Sequence, residues 1–297
     1  MIFGQFYRNG LGPVANSVYS PGMGRKIQMV FSFFALGMLA LFILHVATGQ
    51  WSVVNWGMLG VSAAVCLLVF INFVYIFTYS YALAAVINAS LIFFTLPSAA
   101  SGLLALVAVM YGVRLALFTR SRNHSASYAD KVSDIEKGHD AMPLGVKISL
   151  WFMCTWLQTF HLMGIYYTAR QAELTTAVMA GAVLMGLGFI IEAVSDAQKQ
   201  RVKNAPADRF VADGLFRRIR HPNFLGEIMV QAGLITAGAA SIAAWNELAA
   251  VVLAPGYIIL LMITEALRVD KVQRIRYGAE DTYQQWRRRT GTLLPRP

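Results

Sequence analysis

The chain has 297 residues, of which 57% are hydrophobic and 13% charged, and its mean hydropathy is +0.54. Too little polar surface remains to cover a globule in water, so the composition excludes a soluble domain and points to helices solvated by lipid. The net charge of +10 does not point to nucleic acid, because the excess gathers beside apolar runs, where topology and anionic headgroups account for it.

Apolar windows near the roughly twenty residues that cross a hydrocarbon core fall at 27–48, 53–77, 80–96, 99–118, 147–168, 174–194, 224–244 and 247–267, the third being short. They predict an all-α fold: a polytopic integral membrane bundle of seven to eight transmembrane helices, eight being favoured. The first run is long and lacks a small-residue cleavage site, so it reads as a membrane helix and not as a cleaved signal. Cys66 and Cys154 fall inside windows and read as small packing residues rather than as ligands or a disulfide. No metal-ligand spacing, phosphate loop or internal repeat is present.

Charge sets the topology. Seven of the 25 Lys and Arg lie between Lys199 and Arg220 and eight between Arg268 and Arg296, whereas the short connections near 49–52, 78–80, 97–98 and 245–246 carry none. The positive-inside rule makes the basic segments cytoplasmic, and Arg8, Arg25 and Lys26 put the N-terminus on that side too. An even number of crossings then separates residue 26 from the basic 119–146 loop. All 15 acids follow residue 129. Residues 1–104 therefore read as lipid-facing or pocket-forming helices. Residues 105–297 carry the chemistry, with cytoplasmic loops 119–146 and 195–223 and a tail 268–297.

Polar residues at the edge of an apolar helix are costly and invite a functional reading. The densest such stretch is Asp213–Glu227. A turn at Asp213–Gly214 leads through Arg217, Arg220 and His221 to Pro222, which suits a first helical turn, and Asn223 and Glu227 then share a helix face. A basic loop feeding a helix N-terminus suits phosphate, so a phosphorylated cofactor is the first reading. Glu192 and Asp196, four apart and followed by Gln198, Lys199, Arg201 and Lys203, read either as ribose or arginine contacts or as a solvated helix end. Glu265 and Arg268 have ion-pair spacing. The tail from Arg268 through Asp270, Lys271, Arg274, Arg276, Tyr277, Tyr283 and Trp286 reads either as a pocket lid or as a lipid-surface anchor. His45 and His161 read as packed or hydrogen-bonded histidines, and Trp151, Trp156, Tyr166 and Tyr167 as packing or interface aromatics.

The string GLFRRIRHPNFLGEI at 214–228 resembles the C-terminal signature of the steroid 5α-reductases, and its Arg-His-Pro-Asn variant is similar to their bacterial membrane relatives and to sterol reductases. The tail, with Arg268, Asp270, Arg276–Gly278 and Leu294–Pro295, is similar to that of the sterol reductases, so the resemblance spans about 105–297. It implies a bacterial inner-membrane reductase with cytoplasmic termini. NADPH would lie in a cytosol-facing pocket beneath the carbon–carbon double bond of a lipophilic steroid-, sterol- or prenoid-like substrate. Besides that small molecule the implied partners are membrane lipids, with no nucleic acid and no obligate protein partner. The resemblance carries Asn223 and Glu227 to the cofactor and its carboxamide, and Arg217, Arg220 and His221 to the phosphate entrance. Arg114, Arg120, Glu192, Asp196 and Lys199 join the cofactor set, and Arg268, Asp270, Arg274 and Tyr277 close the pocket. Tyr111–Gly–Val–Arg114 resembles the Tyr-x-x-Arg whose tyrosine polarises the substrate carbonyl, which makes Tyr111 and Glu227 the catalytic pair. A phenol suits that role, since hydride attack on an enone builds charge on oxygen.

The steroid 5α-reductases back that tyrosine with an early glutamate, and here no glutamate precedes Glu136. Either the tyrosine acts alone or Tyr75, Tyr79 or Tyr81 assists. The isoprenylcysteine carboxyl methyltransferases share an Arg-His-Pro segment before a membrane helix but use S-adenosylmethionine, which carries no phosphate and does not need fifteen cations in two segments. A non-enzymatic transporter or scaffold is the remaining alternative.

Overall fold

The computed structural model describes residues 21–204 and 209–296, with side chains from residue 32 onward, so the expectations on Arg8, Arg25 and Lys26 lie outside the described side chains. The described residues are helical with no strand. In chain order the helices are α1 (Pro21–Ala47), α2 (Val53–Cys66), α3 (Tyr79–Thr95), α4 (Ala99–Asn123), α5 (Ala129–Asp140), α6 (Leu144–His161), α7 (Met163–Gln171), α8 (Thr176–Lys203), α9 (Pro222–Ala239), α10 (Trp245–Tyr277) and α11 (Asp281–Arg289). Four segments, Val53–Phe70, Ala99–Asn123, Thr176–Lys203 and Trp245–Tyr277, are long and apolar enough to cross a membrane, and Ser32–Ala47 and Tyr79–Thr95 are shorter apolar helices. The chain is a membrane-type helical protein.

Two windows are broken. The α2 run passes into 3₁₀ turns at Leu67–Phe70 and Phe73–Phe77, interrupted at Asn72, whose side chain accepts from the Val74 amide instead of letting the helix continue. The 147–168 window divides into α6 and α7 at Leu162 (φ −103°, ψ 17°), outside the helical basin.

Glycine spacing sets the helix contacts that matter for the site. Gly181 and Gly188 of α8 face Gly233 and Gly226 of α9, so both helices repeat glycine every seven residues along one seam. A Cβ at Gly188 would lie 2.5 Å from the Gly226 carbonyl oxygen, and one at Gly233 2.5 Å from that of Gly181. Small residues let helix backbones touch in this way. The seam brings the Glu192 backbone against Gly226, one residue before Glu227. A Cβ at Gly112 of α4 would lie 2.7 Å from the Ala82 carbonyl oxygen of α3, and this contact sets Tyr111 beside Tyr81.

Candidate functional site

Five polar side chains from four helices meet inside the apolar bundle: Tyr81 of α3, Tyr111 of α4, His161 of α6, and Glu227 and Gln231 of α9. Glu227 is the hub. Its Oε2 accepts from the Tyr111 hydroxyl, and its Oε1 accepts from the Tyr81 hydroxyl at 2.8 Å and from Gln231 Nε2 at 2.7 Å. Gln231 Nε2 also donates to Tyr81 Oη at 2.8 Å, while its Oε1 lies 3.1 Å from His161 Nε2. The Tyr81 hydroxyl is 3.3 Å from that same nitrogen. All but Tyr81 are more than nine-tenths buried, and His161 Nδ1 is buried without a partner. A carboxylate fixed by three donors can orient a phenol and stay fixed when that phenol turns to another acceptor.

One helical turn toward the basic side, Arg114 bridges two carboxylates of α8. Its guanidinium lies 2.8 Å from Glu192 Oε1 and 2.5 Å from Asp196 Oδ2, and Nη2 also donates to the Glu192 carbonyl oxygen at 3.2 Å. The spacing of four in α8 puts both acids within one arginine's reach, which favours the paired reading over a solvated helix end. Glu192 Oε2 is buried with no partner, and Asn223, half-buried on the first turn of α9, has no side-chain hydrogen bond among the described residues.

A ring of cations follows. Lys131 of α5 reaches solvent, yet protein hems it in and Lys199, Arg122, Arg268 and Lys203 repel it, which brings its ammonium down to about 8. Arg122 stacks on Tyr128 at 4.8 Å and on Phe118 at 5.6 Å, and its Nε is buried without a partner. Asp196 attracts Lys199 and Arg122, and the Tyr128 ring carries Lys131 (Nζ at 5.4 Å) as well as Arg122; the positive charge left over suits an anion.

The Asp213–Glu227 stretch divides differently from the expectation. Arg220 is buried and fully engaged inside the protein. Its Nε and Nη2 hold the Asp270 carboxylate at 2.7 and 2.9 Å, Nη2 donates to Thr292 Oγ1 at 2.6 Å, and Nη1 donates to the Thr290 carbonyl. His221 Nε2 lies 3.2 Å from Asp270 Oδ1, and burial outweighs this carboxylate to hold the imidazole below its ordinary value. Backbone bonds from Arg220 to Gly291 (2.8 Å) and from His221 to Thr292 (3.1 Å) tie the loop to the tail. Arg220, His221 and Asp270 thus form a cap. Arg217 is exposed on the 3₁₀ turn Gly214–Arg217, and Arg120 is exposed and lies toward Tyr79.

In the tail, Arg268 pairs with Glu265 at 2.8 Å, as its spacing predicts, and is close enough to Lys131 to repel it. Tyr277 is buried against Phe210 and Tyr283, with Lys203 Nζ 3.4 Å from its hydroxyl. Arg274 lines a separate cleft with α11.

Sequence reasoning missed the cations Arg122 and Lys131, which it assigned to topology, and it missed Gln231. The spacing of four between Glu227 and Gln231 was the available signal. His161 is buried and hydrogen-bonded as expected, but its partners are the groups around Glu227. His45 likewise packs, with Nδ1 2.7 Å from the Leu41 carbonyl oxygen and Nε2 3.1 Å from Tyr167 Oη. Cys66 and Cys154 are free and buried.

Residues 75–290 match the model of DUF1295, a family of proteins of unknown function, and the chain belongs to that family. No curated protein and no solved structure matches it.

Proposed function

We propose that the protein is an NADPH-dependent intramembrane reductase of an activated carbon–carbon double bond in a lipophilic substrate. It belongs with the steroid 5α-reductase-like enzymes of the bacterial inner membrane, with eight crossings and cytoplasmic termini. The observation that carries this reading is the Tyr111–Glu227–Tyr81 cluster, set within apolar helices one turn from a bridged arginine and a ring of cations. A proton donor in apolar surroundings beside an anion-attracting mouth is what reduction of a lipid-soluble enone by a phosphorylated cofactor requires.

The donor set fits NADPH. The cations around Lys131 suit its phosphates, and the unpartnered Glu192 Oε2 and the Asn223 carboxamide suit hydroxyl and amide groups. When bound, the cofactor supplies a hydride. Tyr111 turns from Glu227 to the substrate carbonyl and gives its proton to that oxygen as charge builds there; the enol then tautomerises to the saturated product and solvent returns a proton to the phenolate. Glu227 stays oriented by Tyr81 and Gln231 during that turn.

The test is NADPH oxidation by protein in nanodiscs with a panel of steroid, sterol and polyprenoid enones. The expected result is a product heavier by two hydrogens, with 3-oxo-4-ene steroids responding weakly because the early glutamate is missing. A methylated product formed only with S-adenosylmethionine would replace this reading with the methyltransferase one.

A further inference from the structure

The tail holds a second basic site that the reductase reading leaves unused. A cleft of about 450 Å³ lies between the end of α10 and α11, lined by Arg274, Gly278, Tyr283, Gln284, Arg287 and Arg288 among others, and no carboxylate among the described residues lines it. Arg274 follows Arg268 by six residues, a turn of about 120° around α10, so the cleft opens away from the face Arg268 shares with Lys131. On α11 the pairs Tyr283–Arg287 and Gln284–Arg288 are each four apart, which sets two rows of side chains along the groove. Asp270 lies 3.9 Å from Arg287 Nη2, but Arg220 and His221 already occupy its oxygens.

Two residues of the cleft lining also carry unpartnered groups. Tyr283 is 1% exposed and its hydroxyl has no partner among the described residues, and Arg287 Nε is also buried without one there. Buried donors left unpaired are unfavourable unless something completes them.

We infer that this cleft binds a phosphate ester, held by the guanidinium groups of Arg274, Arg287 and Arg288 with the Tyr283 hydroxyl as an additional donor. Guanidinium forks match phosphate oxygens in pairs, which ammonium groups do not. Its height favours a soluble ester over a headgroup. The apolar window of α10 ends at residue 267, seven residues before Arg274, so the cleft stands about 10 Å beyond that edge at 1.5 Å per residue, and about 8 Å at a 40° tilt. The headgroup layer is only about 5–7 Å deep.

Inorganic pyrophosphate, titrated into the full chain in neutral detergent at fixed ionic strength, tests this through thermal stabilisation. The expected response is saturable. Arg287→Gln with Arg288→Gln weakens it at least about tenfold, and Tyr283→Phe, which keeps the ring packing, weakens it by about three- to tenfold. A parallel arm compares phosphatidylglycerol with phosphatidylcholine nanodiscs. Stabilisation by phosphatidylglycerol alone, lost in the same variants, keeps the phosphate chemistry and assigns it to a lipid. No response in either arm, or one unchanged by the variants, overturns the proposal. One-for-one competition between pyrophosphate and NADPH also overturns it, because the cleft would then be an extension of the cofactor pocket.

Discussion

The cap around Arg220 and the cluster around Glu227 bury similar chemistry but leave it in different states. In the cap, one arginine holds one carboxylate with two nitrogens and reaches the tail with the rest, so both charges are matched and the tail is fixed to the loop before α9. Around Glu227 no cation among the described residues contacts the carboxyl group. Phenols and an amide hold it, and His161 Nδ1 nearby is left without a partner. A matched ion pair favours one conformation, whereas a carboxylate held by exchangeable neutral donors can let one of them go. The first arrangement stabilises, and the second is the one the proposed reaction uses.

Breaking the cap has the largest expected effect. Arg220→Met leaves Asp270 buried without its main partner, for an expected loss of about 3–5 kcal/mol in stability, seen as a lower unfolding midpoint with NADPH oxidation lost only because the tail detaches. Near-normal stability would mean that the tail is held by its aromatic contacts instead. Tyr111→Phe comes next and reverses the pattern, with folding and NADPH affinity retained while turnover falls on the order of 10²-fold. A variant as active as the wild type would move the donor role to Tyr81. Asn223→Ala should weaken NADPH binding by about 1–3 kcal/mol without changing stability, and unchanged affinity would give that amide a packing role.

The smallest expected effect is at Lys131. Lys131 has a depressed pKa of about 8 against its ordinary 10.5. Between those values the folded state binds fewer protons than the unfolded one, so stability rises with pH across that window and the ammonium opposes folding at neutral pH. Lys131→Gln should therefore raise the unfolding midpoint of the ligand-free protein slightly while lowering its affinity for NADPH. A fall in both would mean that Lys131 is part of the fold's own support.

The fold class was legible because lipid solvation writes itself into composition, and each of the eight apolar windows falls on helical structure. The breaks at Asn72 and Leu162 were not legible, since side-chain capping and a departure from helical torsion leave no mark on hydropathy. For the site, Tyr111 and Glu227 stood out from the resemblance, and the structure joins them through a hydrogen bond. Arg220 was misread because an arginine beside a helix N-terminus looks the same whether it awaits phosphate or already holds Asp270. Lys131 and Arg122 were hidden by the opposite ambiguity: topology alone explains cytoplasmic cations, and only the structure shows the two meeting over Tyr128 from separate helices.

The most direct test of the central claim is a binding comparison on the wild-type protein in detergent, with NADPH, NADH and S-adenosylmethionine titrated under identical salt. The cation ring around Lys131 predicts saturable stabilisation by NADPH, a clearly weaker response to NADH, which lacks the 2′-phosphate, and none to S-adenosylmethionine. Equal stabilisation by the two nucleotides would contradict the phosphate-reading role of the ring, and stabilisation by S-adenosylmethionine alone would contradict the reductase account as a whole.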